Sequence, residues 1–151
     1  MSCPQYLHSE SINPANLLEL KVLHQIATKL QSEGNVKGSI PYFAKICQIV
    51  DNQRMDGDDT DAKRDALDTI RAQAHIQLAD AYFKTLQFTQ CESSLSLAVK
   101  IFEKQMQRDI IIDRNQLARA YEQLHDCYDA LGKHQLADFM DERRQKLLAT
   151  S

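Results

Sequence analysis

The sequence predicts an all-α protein, a single α-solenoid of three helical hairpins with about six helices in chain order. Three observations lead there. Apolar residues recur three and four apart over most of the chain, turn formers are scarce, and one residue pattern occurs three times. With 4 Gly and 3 Pro in 151 residues, a many-stranded β fold lacks the turns it would need about every 8–12 residues. Residues 1–13 are expected to form a flexible N-terminus and residues 14–151 one domain, with hairpins at about 14–51, 60–107 and 113–149.

The helices follow from local signals. Asn13 then Pro14 reads as an N-cap with proline at the first helical position, and Leu17, Leu20, Leu23, Ile26, Ala27 and Leu30 form one stripe that Gly34 ends. Ser39 can cap a second helix, with Pro41 in its first turn and Ile40, Phe43, Ile46 and Val50 on its apolar face. A polar, acidic loop is expected from Asn52 to Asp59. Asp59 or Thr60 then caps a longer third helix carrying Ala66, Leu67, Ile70, Ala74, Leu78, Ala79 and Tyr82. The chain turns near Gln87, and Thr89 precedes a fourth helix with Leu95, Ala98, Val99, Phe102 and Met106. Asp113 with Gln116 makes a variant capping box for a fifth helix bearing Leu117, Tyr121, Leu124 and Tyr128, with Gly132 as its C-cap. A sixth runs from about His134 through Leu148.

Composition narrows the class of function. Formal net charge is -3 and both signs are interspersed, so no basic stripe suggests nucleic acid. No signal-peptide core opens the chain, and the longest apolar runs, such as Ile110-Ile111-Ile112, are far too short for a membrane span. Cys3, Cys47, Cys91 and Cys127 are scattered without a CxxC pair, which favours free thiols in a reducing compartment. The expected location is the cytoplasm, with the nucleus left open.

The repeat is the strongest signal. Ile26, Leu30, Gly34, Ser39, Phe43 and Ile46 are spaced 4, 4, 5, 4 and 3. The same spacings recur without a gap in Leu78, Tyr82, Leu86, Cys91, Leu95 and Ala98, and again in Leu124, Tyr128, Gly132, Ala137, Asp141 and Arg144. Small residues beside the stripe (Ala27, Ala79) and early in the second helix (Ser39, Cys91, Ala137) allow close helix approach, and Gly34 and Gly132 suit a left-handed C-cap. The clearest stretches are LADAYFKTLQFTQCESSLSLAVKIF (residues 78–102) and ALGKHQLADF (residues 130–139).

This pattern resembles the tetratricopeptide repeat family over roughly residues 20–150. The copies start 52 and then 46 residues apart, longer than the family's roughly 34-residue repeat. The excess falls in residues 52–71 and 103–117, so lengthened helices are expected there, and the pattern is closer to the elongated repeats of kinesin light chain and LGN/Pins-type scaffolds. The third copy departs further: Asp141 and Arg144 replace apolar residues and His125 replaces a small one, which fits a terminal, capping unit.

The resemblance implies a right-handed superhelix whose first helices line a concave groove for a peptide or helix of a protein partner. Carried over by position, the groove takes Lys21, His24, Gln25, Thr28 and Gln31 from the first hairpin and Gln73, Ile76, Gln77, Asp80 and Phe83 from the second. The third supplies Arg119, Glu122, Gln123, Asp126 and Asp129. These largely polar residues lie off the apolar stripe, an independent reason to expect that face to be exposed. The carboxylate-gripping version found in binders of heat-shock chaperones needs basic pairs, and His24 with Thr28, Gln77, and Arg119 with Gln123 supply too little positive charge. The expected groove is instead basic at Lys21 and His24 and acidic at Asp80, Glu122, Asp126 and Asp129. It suits a ligand with a basic end and an apolar anchor at Ile76 and Phe83.

Other signals carry less. The run Asp56-Gly57-Asp58-Asp59-Thr60-Asp61 fails as a calcium loop, because Arg54 and Lys63 would occupy ligand places. His8, His24, His75, His125 and His134 have no metal-ligand spacing, and His75 and His125 are expected as hydrogen-bonded interior rings. Cys91 and Cys127 fall on packing faces, as do Tyr82, Tyr121 and Tyr128. No catalytic, metal or cofactor site is expected, and the chain is read as an adaptor or scaffold and not an enzyme. The alternative is a structural subunit that docks or self-associates through Leu136, Phe139 and Met140 of the last helix.

Overall fold

The computed structural model describes residues 11–53 and 61–150, and they form six helices with no strand among them. These are α1 (Pro14–Ser32), α2 (Val36–Asp51), α3 (Asp61–Lys84), α4 (Phe88–Gln107), α5 (Arg114–Ala130) and α6 (His134–Ala149). Each packs principally against its neighbours in sequence, so three hairpins (α1–α2, α3–α4, α5–α6) stack side by side in chain order. Cys3, His8, most of the acidic run and the expected caps Asp59 and Thr60 lie outside the described residues.

The three hairpin turns share one geometry. Gly34, Leu86 and Gly132 have φ of 83°, 61° and 75°. The residues after them, Asn35, Gln87 and Lys133, have φ/ψ of -96/67°, -92/72° and -97/63° and start the second helices. Each turn closes with the same two bonds. The N–H groups of Asn35, Gln87 and Lys133 reach the carbonyls of Leu30, Tyr82 and Tyr128 at 2.8, 2.8 and 2.7 Å. Those of Gly34, Leu86 and Gly132 reach Gln31, Phe83 and Asp129 at 3.0 Å. This is the Schellman arrangement, which satisfies the last orphan carbonyls of a helix. The four-residue step from Leu30 to Gly34, Tyr82 to Leu86 and Tyr128 to Gly132 therefore fixes the chain reversal.

Leu86 pays for that geometry with a left-handed backbone that an L side chain dislikes, and its own side chain is 74% exposed. Leu86→Gly is expected to stabilise the fold by about 0.5–1 kcal/mol, the relief of strain less the entropy gained by the unfolded chain. A urea midpoint that stays put or falls, at constant m-value, would count against this account of the turn.

Two helix starts differ from the sequence expectation. α2 begins at Val36 and not after Ser39, because the Asn35 side chain accepts from the N–H of Gly38 at 2.9 Å. Ser39 is buried inside the helix with its hydroxyl donating to the Val36 carbonyl at 2.6 Å, and Pro41 sits past the first turn, where it removes one backbone bond. α4 begins at Phe88, ahead of Thr89, because the turn bond of Gln87 already sets the chain into helix. The caps at Asn13 and Asp113 follow the expectation, accepting from Ala15 N–H at 3.0 Å and Gln116 N–H at 3.1 Å.

The N-terminal residues just before α1 are packed and not free. Ile12 is 2% exposed, and the N–H of Asn13 donates to Oε1 of Gln53 at 2.8 Å. Gln53 is itself buried, donating to Asn16 Oδ1 at 3.1 Å and the Ile49 carbonyl at 3.0 Å, so it ties the start of α1 to the end of α2. Ile12 and Asn13 are thus held in place, although the sequence expectation puts them in a flexible N-terminus; residues 1–10 lie outside the described residues.

Two apolar cores run through the stack. One joins Ile12, Leu20, Ala27, Phe43, Ile46 and Val50 of the first hairpin to Leu67, Ile70, Ala74, Leu78 and Ala81 of α3. The other joins Ala72 and Ala79 of α3 to Leu95, Val99 and Phe102 of α4, Leu117, Tyr121 and Leu124 of α5, and Ala137, Met140 and Leu147 of α6. α3 contributes one face to each. Ion pairs then secure the last hairpin. Arg143 meets both Glu103 oxygens at 3.1 Å and lies 4.9 Å over the Phe139 ring, and Lys133 reaches Glu92 at 3.3 Å.

Candidate partner-binding groove

α3 and α5, the first helices of the second and third hairpins, face each other across a cleft of about 440 Å³. Its lining is Ile76, Gln77, Asp80 and Phe83 from α3 and Gln116, Arg119, Ala120, Glu122, Gln123 and Asp126 from α5. The helical repeat explains the set: residues three and four apart share one face of each helix. Ile76 and Phe83 are half-buried and pack against the larger core, and Phe83 stands edge-on to Phe88 with centroids 5.6 Å apart. Gln123 Nε2 donates across the cleft to Asp80 Oδ1 at 3.3 Å, and the other Asp80 oxygen pairs with Lys84 at 2.9 Å.

The structure therefore brings together the residues named from the second and third hairpins, apart from Gln73 and Asp129, which do not line this cleft. Nor do Lys21, His24, Gln25, Thr28 and Gln31. Lys21 and Gln25 are exposed on α1, while the Thr28 hydroxyl donates to the His24 and Gln25 carbonyls at 2.9 and 3.2 Å. Burial lowers the pKa of His24, disfavouring its charged form. Gln116 and Ala120 were missed by sequence reasoning. Gln116 was spent on the capping box, although its spacing of three before Arg119 and seven before Gln123 marks the same face.

The acidic end is organised around His125. Its Nδ1 is 3.1 Å from Asp126 Oδ1, and its Nε2 is 3.4 Å from Asp129 and 3.3 Å from Asp141. Hydrogen bonding to Asp126, with Asp141 and Asp129 adding their charge, raises the His125 pKa against the opposing effect of desolvation. His134 also meets Asp129, at 2.9 Å. His125 is thus a partly exposed rim group and not an interior ring. His75 is the more enclosed of the two, 2.9 Å from Asp51, with its Nδ1 buried and unpartnered among the described residues.

Cys47, Cys91 and Cys127 are buried and free. Burial, with Asp51 beside it, pushes the Cys47 thiol up to about 12, and a hydrogen bond with Cys127 followed by burial raises Cys91. Tyr121 and Tyr128 are buried and Tyr82 is half-buried; on α6 Met140 lies inside, while Leu136, Phe139 and Leu148 are exposed. Among the described residues, no cluster of three or more His, Cys, Asp or Glu could hold a metal ion, and no helix is long and apolar enough to cross a membrane. No protein-family model matches this chain, and no curated protein does.

The fold and the cleft define a class: an all-α protein of stacked helical hairpins with a recess between the first helices of its second and third hairpins.

Proposed function

We propose that this chain is a tetratricopeptide-type adaptor or scaffold module, a right-handed superhelical stack that holds a segment of a protein partner against α3 and α5. The observation that carries this reading is the cleft, where an apolar floor at Ile76, Phe83 and Ala120 lies beneath a polar rim on pre-ordered helices. Because the helices are already fixed, most of the ordering entropy on binding falls to the ligand. The reading involves no catalytic step and no cofactor. Three buried free thiols favour a reducing compartment, the cytoplasm.

A second reading, a structural subunit that docks through α6, is favoured by Leu136 and Phe139, which are 44% and 50% exposed. Affinity capture separates the two. The Phe83→Ala/Asp126→Lys double variant is expected to weaken capture of the wild-type partner about tenfold or more, with Leu136→Ser/Phe139→Ser unchanged. The opposite pattern, in variants whose circular dichroism matches wild type, would move the interface to α6.

A further inference from the structure

We infer that the α3–α5 cleft receives a basic side chain beside an apolar one: a lysine or arginine next to an aliphatic or aromatic residue in one segment of a protein partner. This deepens the groove reading and rests on it. The apolar residue is accounted for by the floor. Ile76 and Phe83 are half-buried and backed by the larger core, so they present fixed apolar surface at the bottom of a recess whose rim is polar.

The basic side chain follows from the charges. Three carboxylates line the cleft, Asp80, Glu122 and Asp126, against one guanidinium, Arg119. Asp80 is engaged on both oxygens, by Lys84 at 2.9 Å and Gln123 at 3.3 Å, which leaves it little to offer a ligand. Asp126 meets His125 through Oδ1 at 3.1 Å, and its other oxygen makes no ion pair among the described residues. Glu122, one turn earlier on the same helix face, is exposed and forms no ion pair among the described residues. Glu122 and Asp126 both line the cleft and are four apart on α5, so they share one helix face, where like charges repel and a cation is favoured. The relief of that repulsion is differential binding energy that a neutral or acidic segment cannot gain. Asp129 and Asp141, held around His125 just beyond, extend the negative field past the end of the cleft.

An acidic segment would have Arg119 alone to pair with, and would bring its charge against Glu122 and Asp126. Charge complementarity therefore selects the basic occupant.

The test uses the whole chain and a displayed library of random short peptides, with enriched sequences remade as labelled synthetic probes for anisotropy. Enriched peptides are expected to place Lys or Arg next to an apolar residue more often than the input library does. Their Kd is expected to rise about tenfold or more for Glu122→Lys/Asp126→Lys, and to stay unchanged for Asp138→Lys, an exposed change of the same sign outside the cleft. Peptides that lose binding with Phe83→Ala yet show no basic preference would overturn the inference and leave the groove reading standing. A loss with Asp138→Lys as large as that of the double variant would overturn it too, by making the effect one of net charge. Peptides indifferent to Phe83→Ala, or no enrichment at all, would defeat the groove reading and this inference with it.

Discussion

Truncating Phe102 to alanine is expected to lower the unfolding free energy by about 3–5 kcal/mol, the range for deleting a buried aromatic ring. Phe102 is 1% exposed on α4 and belongs to the core that α3, α4, α5 and α6 share. Removing the ring deletes its transfer free energy and leaves a hole that fixed helices on several sides close only in part. Domains of this size are stable by about 5–15 kcal/mol in total, so the loss is a large share. Urea unfolding followed by circular dichroism measures it, with Phe139→Ala as the comparison. Phe139 is half exposed and gives up mainly its stacking under Arg143. If Phe102→Ala cost less than about 1 kcal/mol, within the range of surface changes, the assignment of this ring to the core would be wrong.

The second large effect is expected from adding volume. Ala79 has no exposed surface and lies on the face of α3 that enters the same core. Ala79→Leu places three further carbons where helices meet, forcing off-rotamer side chains or a shift of α3, and should cost about 1–3 kcal/mol. Most of the loss should appear in the urea midpoint. A variant at least as stable as wild type would mean that space exists beside Ala79, and the role given to small residues at the helix crossings would fail.

The helices and their order were legible because each rests on local information: a stripe at helical spacing, a cap, a turn residue. The repeat made the hairpins legible as well, since positions such as Gly34, Leu86 and Gly132 are the points at which the backbone turns left-handed. Leu86 shows where residue type misleads, because it holds the same φ as the glycines and only its place in the pattern reveals that. The start of α2 was misplaced at Ser39 for a physical reason. Asn35 and Ser39 are both capping residues by chemistry, and the choice falls to Asn35 because Ser39 is drawn into the helix crossing and buried.

Pairings over distance were beyond reach. Gln53 reads as part of a polar loop, yet the turn of α2 carries it to the start of α1, where it satisfies Asn13 and Asn16. The third hairpin offers a partial exception. His125 and Asp141 each break the repeat, at positions filled by Ala27 and Phe43 in the first copy and Ala79 and Leu95 in the second. They meet at 3.3 Å, so a small-and-large apolar pair has become a His–Asp pair across α5 and α6. Two departures in one copy at facing positions were a clue to contact that single-residue reasoning passed over. For the groove, the second and third hairpins were legible from helical spacing, whereas the separation of the α1 residues from the cleft depends on how the first hairpin packs on α3, which no local pattern encodes.

The double duty of α3 has a consequence for how the molecule comes apart. Arrays of repeats can fray inward from their ends, each unit leaving with only its own interface. Here the interior of the first hairpin and that of the other two are walled by one rod, with Ile70, Ala74 and Leu78 turned one way and Ala72 and Ala79 the other. Disordering that rod uncovers both interiors together, so a chain written as three modules is expected to melt as a single cooperative body, with coincident transitions by different probes.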